Sequence, residues 1–403
     1  MKLITVDLES AIAPVPAATT GEQWVLVRFH RHPLGLLKLG TRAHSAREIE
    51  SLSLDRFGHE LRQHIIEDNL HAPSERVPVS TLTHRCPRHA PVTLPTLTVA
   101  VCTRNGEAHI GECLDALGGL AYPRDLLDLL VVDNAPSNRD TERLVRDRYP
   151  HVRYVVEPRP GLDWARNRAI LEARGEILAY TDDDVSVDAW WAQALARTFL
   201  EHPDVMAVTG LVVADEIDTD SQGLFEEYGG FGRGMQRRYY RVDRDGGELA
   251  AQHHCGAGRF GTGANMAYRR TIFEAIGYFD PALDVGTVTQ GGGDLEMFFR
   301  VLKEGHSLVY EPAAIVRHRH RRTYAQLRTQ LASNGIGFYA YLVRTARAYP
   351  DERAGFIRFG AWWFWFWSVR RLLLSFIGRV RFPRDLIWAE LRGVLAGLFR
   401  YGR

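Results

Sequence analysis

From Pro95 onward the chain alternates short, unbroken apolar runs with stretches of helical character. No other feature constrains the fold as much. Leu97-Thr-Val-Ala-Val-Cys102 carries no charge, and Leu126 to Asp133 reads LLDLLVVD. Val152–Val156 and Glu176–Tyr180 (EILAY) continue the series. Runs of this kind suit strands covered on both faces. Between them the sequence predicts helices over Ala108–Gly118, Thr141–Tyr149 and Trp164–Arg174. Strands alternating with helices specify an α/β fold with a mostly parallel, doubly wound sheet. Such sheets bind ligands beyond the carboxyl ends of their strands, so the polar residues after each run are the ones to examine.

The flanks read differently. Residues 1 to about 22 have the look of a loose leader, and the β-branched and aromatic run Trp24–Phe29 predicts a strand. His32-Pro33-Leu34-Gly35 reads as a turn, and Ala46 to His71 as a helix. Residues 73–95 hold five prolines and read as a linker. The expected organisation is an accessory region over 1–95, an α/β domain over 96–325, and a helical, aromatic and Arg-rich region over 326–403.

With 45% hydrophobic and 25% charged residues in 403, the chain can bury a large core. A net charge of +1 gives no global field for nucleic acid. The four cysteines show no CxxC spacing, so neither a zinc site nor a redox dithiol is signalled. So few in so long a chain are no disulfide scaffold, and a reducing, cytoplasmic setting is expected. The N-terminus lacks the apolar run of a signal peptide. No stretch reaches the ~20 apolar residues that span a bilayer.

The strand ends carry the chemistry. Thr103-Arg104-Asn105-Gly106 follows the first run, Asp133-Asn134 the second, and Asp182-Asp183-Asp184 the fourth. Three adjacent carboxylates repel one another, and a hard cation, which prefers oxygen ligands, relieves that cost. A solvated acidic turn is the alternative.

VAVCTRNG, VVDNAPSN, GLDWARNRAI, GEILAYTDDDV, GTGANMAYRR, GYFDPAL, GGGDLEMFFR and EPAAIVRHRHR follow one another in an order that resembles family 2 glycosyltransferases of the GT-A fold. The resemblance spans about residues 95–325. It implies that Thr103, Arg104, Asp133, Arg166 and Asn167 face the nucleotide of a nucleotide-sugar donor, together with Asp182 and Asp183. It makes Asp182 and Asp184 the DxD pair, with Asp184 the direct ligand of Mg²⁺ or Mn²⁺. Such an ion offsets the charge growing on a nucleoside diphosphate leaving group.

A sugar hydroxyl needs a base at neutral pH. The family usually has Glu-Asp where this chain has Gly293-Asp294, which makes Asp294 the expected base and Glu296 its rival. Acidic residues are also favoured at a helix start, and the two roles are compatible. His318 and His320 fall two apart among arginines, and His318 is the one expected at the metal or diphosphate, against a solvated basic turn. The small residues Gly261 to Asn265 suit close approach of sugar or acceptor, or a tight turn before a helix at Arg269–Ile276.

Phe359 to Trp367 reads FGAWWFWFW, with Arg358 before it and Arg370-Arg371 after. An apolar surface all round a helix means burial, in protein or at a lipid interface, and both stay open. The expected activity is transfer of a sugar, with inversion, from a UDP-, GDP- or dTDP-sugar to a glycan or lipid-linked acceptor. That suits synthesis of envelope polysaccharide, glycolipid or another glycoconjugate, on the inner face of a membrane or free of it. A nucleotide-sugar-binding protein without turnover is the rival, kept alive by Gly293. A nucleotidyltransferase wants a Gly-rich, basic phosphate loop after the first strand, and TRNGEAH is not one.

Overall fold

The computed structural model describes residues 2–18, 23–68, 86, 90–242 and 255–402. The N-terminal segment is paired into a sheet. Its strand β1 (Ile4–Asp7) runs parallel to β2 (Gln23–Phe29), which pairs antiparallel with β3 (His32–Leu39). His32-Pro33-Leu34-Gly35 therefore lies inside a strand. The reversal falls one step earlier, at His30 and Arg31, both at positive φ (51° and 64°). Helix α1 (Ala46–Glu67) starts at a capping box in which Ser45 Oγ accepts from Glu48 N and Glu48 Oε2 accepts from Ser45 N at 2.8 Å. It lays Ile49, Phe57, Leu61 and Ile65 on Val25, Val27 and Phe29, a small core of its own. The expected linker falls outside the described residues except for Cys86 and residues 90–95.

The main sheet has nine strands: β4 (Leu97–Thr103), β5 (Leu127–Asn134), β6 (Arg153–Glu157), β7 (Ile177–Asp182), β8 (Val185–Val187), β9 (Val205–Ala214), β10 (Arg238–Tyr240), β11 (Asn265–Arg269) and β12 (Ser307–His318). Their order is β10-β12-β9-β11-β7-β4-β5-β6, with β8 pairing the end of β12. β4, β5, β6 and β7 are mutually parallel neighbours, as are β9 and β12, while β11 runs antiparallel between β7 and β9. The small-residue segment before Asn265 thus leads into a strand, and the helix after it is shorter than expected (Ile272–Ile276).

Alternation along the strands divides the core between the two faces. Val99, Val101, Leu129 and Val131 pack on one side with α2 (Ile110–Gly118) and α5 (Trp191–Glu201). Ala100, Cys102, Leu130 and Val132 pack on the other with α4 (Leu162–Glu172) and α8 (Gly293–Lys303). The remaining helices of this region are α3 (Asp140–Arg148), α6 (Asp220–Tyr228) and α7, the short helix after β11. The N-terminal unit is seated against the same sheet. Leu3 and Leu26 join Leu211, Val213 and Ile315, and Arg28 Nη1 donates to Asp188 Oδ2 at 2.6 Å.

Four helices follow β12: α9 (Tyr324–Ala348), α10 (Arg353–Trp363), α11 (Arg370–Phe376) and α12 (Arg384–Gly397). A π-helical segment, Phe364–Val369, joins α10 to α11. Helices α9 and α12 meet backbone to backbone. A Cβ on Gly393 would lie 2.1 Å from Ala332 O, and one on Gly335 would lie 2.5 Å from Glu390 O. The aromatic run divides between two environments. Trp363 stacks near Phe338 and Trp367, and Trp367 Nε1 donates to Glu390 at 2.8 Å. Trp362 and Trp365 stay half exposed, at 51% and 52%.

Candidate active site

The carboxyl ends of β4, β5 and β7 and the C-terminus of β12 converge at one edge of the sheet. Val185 at the start of β8 pairs with His318 at the end of β12, which carries that histidine to the acidic turn. His318 Nε2 comes within 3.5 Å of Asp184 Oδ1. One ligand atom from each of Asp182, Asp184 and His318 lies within 4.8 Å of the others. Burial, with the neighbouring Asp184 charge, pushes Asp182 up to about 7. Burial also pulls His318 down to about 4, against the pull of Asp184, so its imidazole is neutral and able to ligate. Two oxygens and one imidazole nitrogen fit a divalent cation such as Mn²⁺ or Mg²⁺.

Asp183 turns away from this group and accepts a hydrogen bond from Thr103 Oγ1, tying the ends of β7 and β4. Asp133 is buried at the end of β5 and accepts from Tyr154 Oη at 2.6 Å; burial raises its pKa. Asn134 holds the turn that leads into α4, accepting from Gly161 N at 2.7 Å and donating to Arg159 O at 2.8 Å. Arg104 is exposed on the loop after β4.

Across the cleft stands the start of α8. Asp294 is half-buried, and its Oδ2 accepts from Gly263 N at 2.8 Å. The small residues of 261–264 line the cleft and let the chain pass this close. A Cβ on Gly263 would meet Arg166 Nη2 at 2.4 Å and Asp294 Oδ2 at 3.3 Å. Arg166 donates to Asp163 Oδ1 at 2.8 Å. Burial alone would lower its pKa, but the carboxylates of Asp163, Asp294 and Asp182 outweigh that and raise it. Arg166 is thus a fixed positive charge among buried and half-buried acids.

Two expected residues are placed elsewhere. Glu296, the rival base, is fully buried and paired with Arg300 and, at 2.6 Å, with Arg344 Nη1, and it does not line the cleft. Asn167 is buried as well. Its amide bonds both backbone groups of Phe279, at 2.9 Å each, and anchors the loop after α7. His320 is likewise used internally, 2.7 Å from Glu226.

Other residues of the site carry no spacing signal. Asp284 accepts from Asp163 N at 2.7 Å and caps the start of α4; burial lifts it to about 6. Asp163 explains the missing glutamate at position 293. A Cβ there would lie 1.8 Å from Asp163 Oδ2, so any side chain at 293 has to displace that carboxylate. The glycine before it is pressed just as hard, with a Cβ on Gly292 falling 2.7 Å from Gly337 O of α9. Both Asp163 and Asp284 lie in or beside the shared motifs, but their function depends on a contact between distant segments.

Beside these groups lies a cavity of about 1080 Å³. Arg166, Asp182, Asp294 and His318 form its polar end. Phe338, Phe359, Trp362, Trp363 and Trp367 form an aromatic wall.

Residues 98–277 match the model of glycosyl transferase family 2. The chain is 25% identical over 190 residues to the glucosyl-dolichyl phosphate glucuronosyltransferase of Haloferax volcanii, covering 46% of this chain and 56% of that protein. It is 26% identical over 248 residues to the probable glycosyltransferase YdaM of Bacillus subtilis, covering 57% and 52%. It therefore spans about half the length of these relatives. Among solved structures it is similar to the mannosyltransferase PcManGT from Pyrobaculum calidifontis in complex with GDP-Man and Mn²⁺, with a TM-score of 0.49, 18% identity, and 86% and 95% of the two chains covered. The eight motifs in order, the sheet that carries them and the match over 98–277 agree: this part of the chain is a glycosyl transferase family 2 domain built on a mixed, mostly parallel α/β sheet.

Proposed function

We propose that the chain transfers a sugar, with inversion, from a nucleotide-sugar donor to an acceptor hydroxyl. The observation that carries this reading is the opposition of two acidic centres across one cavity. Asp182, Asp184 and His318 stand on the strand ends, and Asp294 stands on α8. Asp182, Asp184 and His318 are the residues to hold a divalent ion, which when bound offsets the charge of the diphosphate leaving group. Asp133, Thr103 and Arg104 lie toward the nucleoside end of the same sheet edge. Asp294 takes the proton of the acceptor hydroxyl as its oxygen attacks the anomeric carbon from the face opposite the diphosphate. The C–O bond to the diphosphate breaks as the new one forms, which inverts the centre. Hydrogen bonds from Gly263 N to Oδ2 and from Leu295 N to Oδ1, at 2.8 and 2.9 Å, hold Asp294 in place together with the Arg166 charge. The Asp163 carboxylate occupies the space beside Gly293, and a nucleotide-sugar-binding protein without turnover stays the rival reading.

The aromatic wall supports an acceptor with an apolar part, of the lipid-linked kind. The Haloferax relative is named for a glucosyl-dolichyl phosphate. Trp362, at the rim of that wall, makes an exposed apolar collar with Trp365, Phe366, Leu373, Phe376 and Ile377, and Arg370, Arg379, Arg381 and Arg384 are near it in sequence. Aromatic and arginine side chains together suit peripheral attachment to an anionic bilayer. No helix among the described residues is long and apolar enough to cross one.

The test is a panel of UDP-, GDP- and dTDP-sugars with Mg²⁺ or Mn²⁺, scored by donor hydrolysis and by thermal stabilisation, which bound ligand produces by mass action. One donor class is expected to be turned over. Asp184→Ala is expected to abolish that turnover and the metal-dependent stabilisation by nucleoside diphosphate. Undiminished turnover in excess chelator overturns the metal-dependent reading.

A further inference from the structure

We infer that the N-terminal unit carries a structural zinc site, formed by His30, His64, Asp68 and Cys86. The site lies in a separate region from the acidic cleft and does not depend on the proposed reaction. All four residues are buried, none above 7% exposed. Around Asp68 Oδ2 stand His30 Nδ1 at 3.2 Å, His64 Nε2 at 3.1 Å and Cys86 Sγ at 3.2 Å. One ligand atom from each of the four lies within 4.8 Å of every other. A tetrahedral zinc ion with Zn–N and Zn–O of ~2.0–2.2 Å and Zn–S of ~2.3 Å implies ligand-to-ligand edges of roughly 3.3–3.8 Å. The observed separations bracket that range, so small side-chain movements suffice to seat an ion.

The donor set also selects the metal. Two imidazoles, one thiolate and one carboxylate suit zinc and are unsuited to Mg²⁺ or Ca²⁺, which take oxygen ligands. Two anionic ligands balance the charge of Zn²⁺, which matters in a site with so little access to water. The cleft, with two carboxylates and one imidazole, makes the opposite choice.

The backbone points the same way. His30 occupies the first central position of the β2–β3 reversal at a φ of 51°, where asparagine or glycine is the usual occupant. Its side chain is what recommends it there. His64 and Asp68 are four apart at the end of α1, and this spacing puts both on one face. Cys86 closes the set from beyond the end of that helix. An ion here joins a hairpin tip, a helix end and the following segment in a unit whose own core is small. The adjoining Arg31 lies over the Trp190 ring at 3.1 Å, and Arg28 pairs with Asp188, so the same hairpin braces the main sheet. No CxxC spacing signals this site, because its ligands come from separate elements and only one is a cysteine.

The test uses the full chain, purified without an affinity tag that binds metal and analysed by elemental mass spectrometry. One tightly held zinc per chain is expected. Asp184→Asn, which alters the cleft, should keep it; His64→Ala and Cys86→Ser should each lose it. Cobalt exchange of the wild-type chain needs no variant. It should give intense tetrahedral d–d absorption with a thiolate-to-cobalt charge-transfer band, and in a folded Cys86→Ser chain that band should vanish. A folded wild-type chain that neither contains zinc nor takes up zinc or cobalt overturns the proposal, and makes the cluster a hydrogen-bonded network centred on Asp68. Stoichiometric zinc that persists in a His64→Ala/Cys86→Ser chain overturns it as well.

Discussion

Replacing Gly293 by alanine adds one methyl group to the first turn of α8, where the carboxylate of Asp163 already stands. The new Cβ would lie 1.8 Å from Asp163 Oδ2, and ordinary contact begins at 3.4 Å, so one side must give way by 1.6 Å. Asp163 can turn away only by disturbing Arg166: its Oδ1 accepts from that residue at 2.8 Å, while the clashing Oδ2 bonds nothing. The displacement therefore passes to Arg166 or to the start of α8, which bears Asp294. Alanine in a helix is worth up to about 1 kcal/mol over glycine. Overpacking a filled site costs about 1–3 kcal/mol, which outweighs the gain in helix propensity. Thermal denaturation should show a loss of stability, at about 2–4 °C per kcal/mol for a domain of this size. A misplacement of about 1 Å can cost about 10²-fold in rate, so kcat should fall by that order. Donor affinity should hold, because Asp133 and Asp182 end strands β5 and β7 and Asp184 stands on the turn after β7, none of them in contact with Gly293. Gly58→Ala on α1 is the control. Nothing lies within 4 Å of its added Cβ, and it should stabilise by up to about 1 kcal/mol. A Gly293→Ala chain with wild-type Tm and wild-type kcat would refute the exclusion of a side chain by Asp163.

Asp294→Asn keeps the shape of the proposed base without its basicity; transfer should fall about 10²–10⁴-fold while nucleoside diphosphate binding persists. Glu296→Gln should do the reverse. It strips Arg300 and Arg344 of a buried anion, which costs about 3–5 kcal/mol, yet the folded fraction should turn over normally. An inactive, fully stable Glu296→Gln beside an active Asp294→Asn would move the base. For the apolar collar, co-sedimentation with anionic vesicles should be strong at low salt and weak at high salt, since each basic residue near such a surface contributes about 1 kcal/mol. Trp362→Ser/Trp365→Ser should reduce it, and a folded wild-type chain left in the supernatant at low salt ends the membrane reading.

Local pattern sufficed for the strands that build the sheet edge and for the residues at their ends. A strand covered on both faces must be apolar along its length, so β4, β5 and β7 stand out, and Thr103, Asp133 and Asp182 follow directly after the apolar residues. Tertiary structure decided how those ends are used. His318 meets Asp184 only because β8 pairs with β12 far along the chain. Asp294 and Glu296, two residues apart on one helix, separate onto different faces, one to the cleft and one to Arg344. Asn167 follows Arg166 in sequence, but its amide bonds the backbone of Phe279, whereas Arg166 meets Asp163. The first residues of the chain resemble a leader because β1 is only four residues long and its stability comes from pairing with β2. In sequence Gly293 has the look of a lost catalytic residue, whereas in the fold the Asp163 carboxylate occupies the space a side chain needs. Periodicity records which residues are buried; which of them meet is set by long-range packing, and both the acidic cleft and the His30, His64, Asp68 and Cys86 cluster are made from such meetings.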